Sequence, residues 1–366
     1  MKGKRGLDII LLFAVLALVG IGVVMVYSTS AIIAGDRFGD PYYFLKRQAL
    51  YAAVGFVLMI VMMFLPYEIL KRFAYPILVS SVLLLIAVLI PGIGHRTGGA
   101  MRWLKIQSFS FQPSEFAKLG LVIFLAYLLT KKEEKIRSFS FGFLPPVLLS
   151  GLVIALVMKE PDFGAAFFLT VMVFLLLFVG GARVIYIASA FLIAIPIAYA
   201  LLMNVGYRYK RLMSFIRPWE DPSGTSFQII QSFLSFGSGG LFGLGLGEGR
   251  QKLFFLPAPH TDFIFSVIGE ELGLVGATVV VLLFFILTLR GIQIGLSLED
   301  RFGVYLALGI TLMISLQAVI NMGVVLGLLP TKGLTLPFIS YGGTSLIANL
   351  AGVGILFQLS THVERR

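Results

Sequence analysis

The carboxylate of Asp262 is well placed for chemistry, because it stands between a basic, glycine-rich stretch and a strongly apolar one. Polar groups that persist beside lipid cost free energy and are candidates for function by default. A carboxylate at the boundary between water and membrane could act as a general base. Because Asp is also a favoured N-cap, the pattern equally predicts that Asp262 caps the helix that follows.

A second pair of charges, Glu115 and Lys118, lies just after Pro113. Proline favours the first turn of a helix, and residues three apart share a helix face, so the two side chains could pair. One interpretation is an ion pair that fixes packing at a helix terminus. The alternative is that Lys118 binds a substrate phosphate while Glu115 holds it in place.

Two further acidic residues, Glu270 and Glu271, follow Asp262 in the same apolar stretch. Glu270 falls roughly on the Asp262 face of a helix. We predict that these carboxylates pair with an Arg or Lys of another membrane span.

Several classes of site are excluded or disfavoured. The glycines of residues 237–249 match neither the dinucleotide nor the P-loop spacing, so nucleotide binding is rejected. The chain has no cysteine, and its three histidines, His95, His260 and His362, are dispersed, which excludes a disulfide and disfavours a His and Cys metal site. Residues 330–345 are predicted to form a re-entrant loop that lines a cavity.

The elements that must position these groups are membrane helices. The chain is 58% hydrophobic and 13% charged, and its mean hydropathy of +0.97 is too high for a soluble domain of this length. The apolar runs are rich in Leu, Val, Ile and Phe and do not alternate, which indicates helices rather than an outer-membrane barrel. We predict a single integral membrane domain, residues 1–366, that is all-α and polytopic.

About ten runs approach the ~20 residues that cross a bilayer. They are residues 8–28, 47–66, 72–93, 113–130, 141–158, 162–180, 183–204, 263–289, 302–327 and 343–361. The first is interpreted as a retained helix rather than a signal peptide. An even number places both termini on one side, and the basic short connectors make that side cytoplasmic. Residues 205–262 then form a large extracytoplasmic loop between helices seven and eight.

The outward loops are basic although orientation does not require it, since long loops are exempt from the charge rule. Attraction to anionic lipid headgroups explains this charge as well as an anionic substrate does. The cations considered for such a substrate are Arg102, Arg208, Lys210, Arg250 and Lys252.

Four blocks of the sequence carry a family pattern. They are GGAMRW at 98–103 with FQPSEFAK at 111–118, PDFG at 161–164, residues 239–273 with HTDF at 260–263, and residues 330–345. These blocks resemble the SEDS family (shape, elongation, division and sporulation), the peptidoglycan glycosyltransferases of bacteria. RQKL at 250–253, residues 330–337 and VMVYS at 24–28 are more similar to the division branch than to the elongation branch.

The resemblance implies a ten-helix, GT-C-like fold that joins lipid II units into glycan strands on the outer face of the cytoplasmic membrane. It makes Asp262 the base that deprotonates the acceptor sugar 4-hydroxyl, with inversion at the donor and departure of polyprenyl diphosphate. A diphosphate leaving group requires cations to stabilise its developing charge. The residues assigned to substrate binding are Arg102, Lys118, Arg208, Lys210, Arg250, Lys252, His260 and Lys332. The residues assigned to support are Glu115, Asp162, Glu270 and Ser345.

No metal ligand is assigned. Ala258 stands where many members have an acidic residue, which leaves open whether a second carboxylate assists or a divalent cation is held. The resemblance also implies a class B penicillin-binding protein and other divisome proteins as partners, at the division septum, and no nucleic acid. The alternatives are a carrier that moves lipid II across the membrane, which would use the Glu115 and Lys118 pair as a polar path, an elongation-type polymerase, and a scaffold without activity.

Overall fold

The computed structural model describes residues 7–97, 100–106, 109–203, 210, 213–222, 224, 226–252, 259–331 and 333–363. Two of the predicted substrate-binding residues, Arg208 and Lys332, lie outside this range. The helices are α1 Ile9–Phe38, α2 Tyr43–Phe64, α3 Tyr67–Arg72, α4 Ala74–Leu89, α5 Pro113–Lys131, α6 Leu144–Lys159, α7 Phe163–Val179, α8 Val184–Met203, α9 Phe227–Gly239, α10 Ile264–Glu271, α11 Gly273–Leu296, α12 Arg301–Val325 and α13 Gly343–Ser360. Short 3-10 turns at Glu133–Lys135 and Pro218–Glu220 and a π turn at Phe139–Phe143 complete the helical part.

Seven helical segments of the described chain are long and apolar enough to cross a membrane. They are Ile9–Phe38, Tyr43–Phe64, Pro113–Lys131, Phe139–Lys159, Gly273–Leu296, Arg301–Val325 and Gly343–Ser360. Three shorter apolar helices are Ala74–Leu89, Phe163–Val179 and Val184–Ala194. Each of these segments overlaps one of the predicted apolar runs. The prediction of a helical membrane protein is confirmed, whereas the number of crossings and the place of the large loop stay predictions.

The helices differ in how deeply they are buried. Over an 18-residue stretch of each helix, 94% of the residues are buried in α13 and 83% in α5, whereas 28% are buried in α2. Apolar residues of α2 and α6 therefore face outward, as lipid-facing helices must. Helix α13 and its neighbours α5 and α12 form the centre of the bundle, and the polar residues of those three helices can meet there.

The predicted eighth span, residues 263–289, is broken into two helices. Helix α10 ends at Glu271 and α11 begins at Gly273, whose φ of +67° favours glycine. In an unbroken helix the N–H of Leu274 would bond to the carbonyl of Glu270. Instead Leu274 donates to the carbonyl of Gly240 (2.9 Å), and the Glu270 carbonyl accepts from Leu244 (2.9 Å). Residues 237–252, which we call the glycine-rich segment, thus supply the backbone hydrogen bonds that the break removes.

A small sheet departs from the all-α prediction. Strands β1 Gly94–Thr97, β2 Ala100–Ile106 and β3 Phe109–Phe111 pair antiparallel in the order β1-β2-β3 between α4 and α5. Such a sheet satisfies the backbone of a connector outside the helices. It also fixes Arg102, in the middle of β2, beside the start of α7.

The N-terminal part of the chain is fastened to α11. Asp8 caps α1 by accepting from the N–H of Leu11 (3.1 Å), and its Oδ2 lies 2.6 Å from a guanidinium nitrogen of Arg290. At 1.5 Å per residue, Ser28 on α1 and Glu271 beside α11 both lie about 30 Å along the bundle from this pair. That distance is close to the thickness of a bilayer's hydrocarbon core. Ser28 and Glu271 are hydrogen-bonded, so α1 is held beside α11 near both ends of α11.

Candidate active site

Asp262 lies just before helix α10. The helix begins at Ile264 and its N-cap position is occupied by Phe263, which makes no side-chain cap hydrogen bond. Asp262 therefore does not occupy the capping position that the sequence predicts. Its side chain is half-buried, and a Cβ built at Gly333 would lie 3.5 Å from its Oδ2. The carboxylate thus faces the loop that leads from α12 to α13.

Three successive backbone carbonyls hold the segment that carries this carboxylate. The carbonyl of His260 accepts from the N–H of Tyr341 (2.8 Å), and that of Thr261 accepts from the hydroxyl of Ser340 (2.6 Å). The carbonyl of Asp262 accepts from the side-chain amide of Asn321 on α12 (2.9 Å). The backbone on both sides of the carboxylate is consequently fixed to the C-terminal part of the chain.

The predicted pair of Glu115 and Lys118 is present and buried at the start of α5. Lys118 is 2% exposed, and its Nζ lies 2.8 Å from Oε1 of Glu115. The ammonium also donates to Oε1 of Gln317 on α12 (2.7 Å). An ammonium and a carboxylate can be accommodated at such depth because each neutralises the other and further hydrogen bonds complete the ammonium's shell.

Gln317 connects this ion pair to the loop before α13. Its Nε2 donates to the carbonyl of Thr335 (2.9 Å), and the Thr335 hydroxyl donates to Oγ of Ser345 (3.0 Å). Ser345, which the family motifs single out, therefore lies in the same hydrogen-bonded cluster as Lys118.

Gln317 and Asn321 were not predicted from the sequence. They lie one turn apart on α12, so they share a face, and Asn321 also donates to the carbonyl of Leu334 (2.7 Å). The sequence did contain a signal, because amide side chains inside a membrane span are usually turned toward the bundle interior. These two amides join the Lys118 cluster to the segment of Asp262.

Arg102 binds the turn that precedes α7. Its Nε donates to the carbonyl of Glu160 (3.3 Å), a second nitrogen donates to the carbonyl of Pro161, and a third lies 3.6 Å from Oδ2 of Asp162. Asp162 caps α7 by accepting from the N–H of Ala165 (3.0 Å). Arg102, predicted to bind substrate, thus contacts the chain's own backbone.

Glu160 is a buried acid that the sequence did not reveal. The residue is completely buried, and neither carboxyl oxygen has a hydrogen-bond partner among the described residues. Burial and, to a smaller extent, the charge of Asp162 raise its pKa from 4.5 to about 8, against the lowering effect of Arg102. Burial also raises the pKa of Asp162, against the lowering effect of Arg102. Glu160 therefore holds its proton at neutral pH.

His260 is a neutral ring rather than a cation. It packs against Phe44, with ring centroids 4.5 Å apart, and against Tyr341, at 5.6 Å. Burial lowers its pKa to about 4, and the positive charge of Arg37 adds to the shift. A role of His260 in substrate binding would accordingly be that of an uncharged side chain.

The glycine-rich segment places its two cations differently. Lys252 is buried with its Nζ 2.8 Å from Oε1 of Glu271, whereas Arg250 is exposed. The predicted pairing of Glu271 with a cation of another span is therefore wrong, because its partner comes from the segment that wraps the helix break. Glu270 accepts from the backbone N–H groups of Arg250 (2.8 Å) and Gln251 (3.3 Å). Lys210 is exposed.

Metal ions in proteins are held by groups of ligand side chains, chiefly His, Cys, Asp and Glu. Among the described residues, no three His, Asp or Glu side chains are grouped as ligands of an ion. We assign no step to a metal.

The apolar helices, the buried ion pair and the fixed carboxylate at one end of the bundle define an integral membrane protein with a polar site at that end. The family described as "Cell cycle protein" (FtsW, RodA and SpoVE) matches residues 9–365. The chain therefore belongs to the FtsW/RodA/SpoVE family of cell cycle proteins, and the family predicted from the sequence motifs is confirmed.

Relatives cover almost all of the chain. It is 50% identical over 357 residues to the probable peptidoglycan glycosyltransferase FtsW of Geobacter metallireducens, covering 98% of this chain and 95% of the relative. It is 43% identical to stage V sporulation protein E of Bacillus subtilis, covering 98% of each.

Two solved structures are similar throughout. The rod shape determining protein RodA of Thermus thermophilus has a TM-score of 0.69 and 32% identity, covering 97% of this chain and 96% of RodA. A chain of a peptidoglycan synthase complex that coordinates polymerization and crosslinking has a TM-score of 0.79 and 33% identity, covering 97% of both.

Proposed function

We propose that this chain is a peptidoglycan glycosyltransferase that polymerises lipid II into glycan strands at the outer face of the cytoplasmic membrane during septal wall synthesis. The names of its relatives support this activity. The observation that carries the proposal is the position of Asp262. Its backbone is fixed by hydrogen bonds, its carboxylate is half-buried and it lies at the same end of the bundle as the buried polar cluster.

In the proposed reaction, Asp262 takes the proton of the acceptor sugar 4-hydroxyl. The hydroxyl oxygen forms a bond to the anomeric carbon of the donor, and the bond from that carbon to the diphosphate oxygen breaks. A single direct displacement inverts the anomeric centre, and polyprenyl diphosphate leaves with the bonding electrons. The proton on Asp262 passes to water, which a half-buried carboxylate can reach.

Cations near the leaving group would stabilise its charge. Arg250 and Lys210 are exposed and available for this role. Lys118 is enclosed by Glu115 and Gln317, so we assign it to holding the loop before α13 rather than to direct contact with phosphate. Arg208 and Lys332 keep their predicted role in substrate binding, on the basis of the motifs alone.

The proposed topology has ten crossings with both termini in the cytoplasm and residues 205–262 outside. Seven long helices and three shorter apolar helices support the number of crossings. The basic connectors at one end of the bundle support the orientation. A class B penicillin-binding protein is the proposed partner, which the similar chain in a peptidoglycan synthase complex supports.

The test is polymerisation of labelled lipid II by the purified chain with its transpeptidase partner, followed as glycan ladders on a gel. We expect Asp262→Asn to lose on the order of a hundredfold or more in rate, because a general base contributes about that much. Asp36→Asn, which changes an exposed acid on α1, is the matched control and keeps the wild-type rate. Ladders made by Asp262→Asn at the wild-type rate would refute the assignment of the base.

The same preparation distinguishes a polymerase from a carrier. A wild-type chain that binds lipid II, makes no polymer and moves labelled lipid II across vesicle membranes would replace the polymerase with the carrier. Polymer formation without such movement supports the proposal.

A further inference from the structure

The proposed reaction gives no role to the buried carboxylates of Glu270 and Glu271. Glu270 and Glu271 end helix α10 and are 1% and 0% exposed. Acids are almost never this deeply buried unless partners compensate their charge. Apart from Ser28 of α1, the hydrogen-bond and ion-pair partners described below for these carboxylates belong to residues 247–252, which we call the basic turn.

Glu271 binds three residues, two of the basic turn and one of α1. Its Oε1 lies 2.8 Å from Nζ of Lys252, its Oε2 accepts from the N–H of Gly247 (3.1 Å), and the hydroxyl of Ser28 on α1 donates to it (2.6 Å). Lys252 also lies 3.3 Å from the Ser28 hydroxyl. Ser28 ends the VMVYS motif of the sequence, so this cluster explains why a hydroxyl stands there.

Glu270 binds the backbone of the same turn. Its Oε1 accepts from the N–H groups of Arg250 and Gln251. The two carboxylates leave no room for a side chain at Gly249, where a Cβ would lie 2.9 Å from Oε1 of Glu271 and 3.0 Å from Oε2 of Glu270. The basic turn is therefore folded around the two acids.

This arrangement places two cations that are close in the sequence in different surroundings, one buried and one exposed. The ammonium of Lys252 is neutralised inside the protein, and the side chain of Arg250 is exposed while its backbone is held. Only Arg250 of the two can meet an anion from outside without breaking an internal ion pair.

We propose that Glu270 and Glu271 are positioning residues that fold the basic turn and thereby present Arg250 to the diphosphate of the substrate, with Lys252 as an internal counter-ion. The proposal rests on the proposed glycosyltransferase function for the identity of the anion. The folding of the turn does not depend on that function and can be tested separately.

The first test is a charge-neutral double variant measured by polymerisation of labelled lipid II. Lys252→Met and Glu271→Gln alone each bury an uncompensated group and lose on the order of tenfold in rate or more. The double variant restores most of the rate, because Gln keeps an oxygen for Gly247 and Ser28 and no unpaired charge remains. A double variant as inactive as Lys252→Met would overturn the proposal, since it would mean that the ammonium itself is needed by the substrate.

The matched control is the exposed pair of Arg217 and Glu220, whose atoms lie 3.0 Å apart in the same outer loop. Arg217→Met and Glu220→Gln, singly or together, leave the rate unchanged, because exposed ion pairs contribute little.

The second test separates positioning from chemistry through the kinetic constants. Arg250→Ala raises the KM for lipid II by about tenfold with a smaller effect on kcat. Glu270→Ala has the same signature, and Glu270→Gln rescues it because the amide oxygen still accepts from the backbone. A Glu270→Ala variant with an unchanged KM would contradict the presentation of Arg250.

The third test needs no activity. Trypsin cleavage after Arg250, the site that all these variants keep, followed by mass spectrometry of the protein in detergent, reports whether the turn is held. Cleavage is slow in the wild type, fast in Glu270→Ala and in Lys252→Met, and slow again in the double variant. Equal cleavage of all variants would show that Glu270 and Glu271 do not hold the basic turn. If the wild type made no polymer, the proposed function would fail while this measurement still decided the role of the two acids.

Discussion

The side-chain amide of Asn321 donates a hydrogen bond of 2.9 Å to the backbone carbonyl of Asp262. The same nitrogen donates to the carbonyl of Leu334 (2.7 Å), and the residue is 1% exposed. One amide group therefore joins the segment of the proposed base to the loop before α13. The position of the carboxylate depends on a helix that follows it by some sixty residues in the sequence.

Replacing the Asn321 amide should displace the Asp262 carboxylate, although the amide bonds to the backbone of Asp262 and not to its carboxylate. In Asn321→Leu two buried carbonyls lose their donor, which costs about 1–3 kcal/mol for each group. We expect a lower melting temperature and at least a tenfold loss of polymerisation rate, with lipid II binding retained. Asn321→Asp keeps the shape but presents an acceptor to both carbonyls, so it should lose as much. Wild-type rates in Asn321→Asp would show that the amide donor is unimportant.

Replacing Lys118 alone should destabilise the protein more than replacing both Lys118 and Glu115. Lys118→Met leaves a buried carboxylate and the oxygen of Gln317 without their donor, and we expect about 3–5 kcal/mol of destabilisation. Adding Glu115→Gln removes the unpaired charge and should restore much of the melting temperature. Thermal unfolding in detergent measures both.

An exposed ion pair serves as the control for that comparison. The atoms of Lys46 and Asp40 lie 2.8 Å apart in solvent, so Lys46→Met should barely change the melting temperature. If Lys118→Met were as well tolerated as Lys46→Met, the buried pair would not stabilise the fold.

Glu160 should make stability depend on pH. Its pKa is raised from 4.5 to about 8, so above pH 4.5 the folded protein keeps a proton that the unfolded chain has released. The contribution of Glu160 to the free energy of unfolding is complete below pH 4.5 and is lost as the pH rises toward 8, at about 1.4 kcal/mol per pH unit. Glu160→Gln should remove this slope, measured as melting temperature from pH 5 to 9. Identical slopes would show that Glu160 ionises normally.

Two glycines of α9 provide a matched pair for packing. A Cβ at Gly239 would lie 2.0 Å from the carbonyl oxygen of Gly269 on α10, whereas a Cβ at Gly237 would meet nothing within 4 Å. Gly239→Ala should therefore destabilise the protein by about 1–3 kcal/mol. Gly237→Ala should be neutral or stabilising by up to ~1 kcal/mol, since alanine favours a helix. Equal melting temperatures would contradict the close packing of α9 and α10.

The sequence was sufficient for the features that depend on neighbouring residues. Apolar runs long enough for a bilayer predict where the helices lie, because lipid requires each segment to satisfy its own backbone. The spacing of Glu115 and Lys118 predicts their pairing, because residues three apart on a helix are adjacent. Both features are present in the structure.

Features that depend on distant residues could not be predicted in this way. Lys252 and Arg250 are alike in the sequence, and only the fold shows that one is buried against Glu271 while the other is exposed. The break at Gly273 was missed because its hydrogen-bond partners lie near Gly240, in a segment that shows no helical or strand periodicity. The amides of Gln317 and Asn321 could be recognised as unusual in a span, but their acceptors could not be named.

The backbone carbonyls of residues 260, 261 and 262 are all bound by groups from the last fifty residues of the chain: the N–H of Tyr341, the hydroxyl of Ser340 and the amide of Asn321. A ribosome makes those residues after it has made residues 260–262. Asp262 is therefore synthesised before the three groups that bind its segment, and the segment is fixed only when α12 and the residues before α13 have entered the membrane. A nascent chain still lacking them carries the proposed base without these hydrogen bonds, so it should be inactive until they have been made.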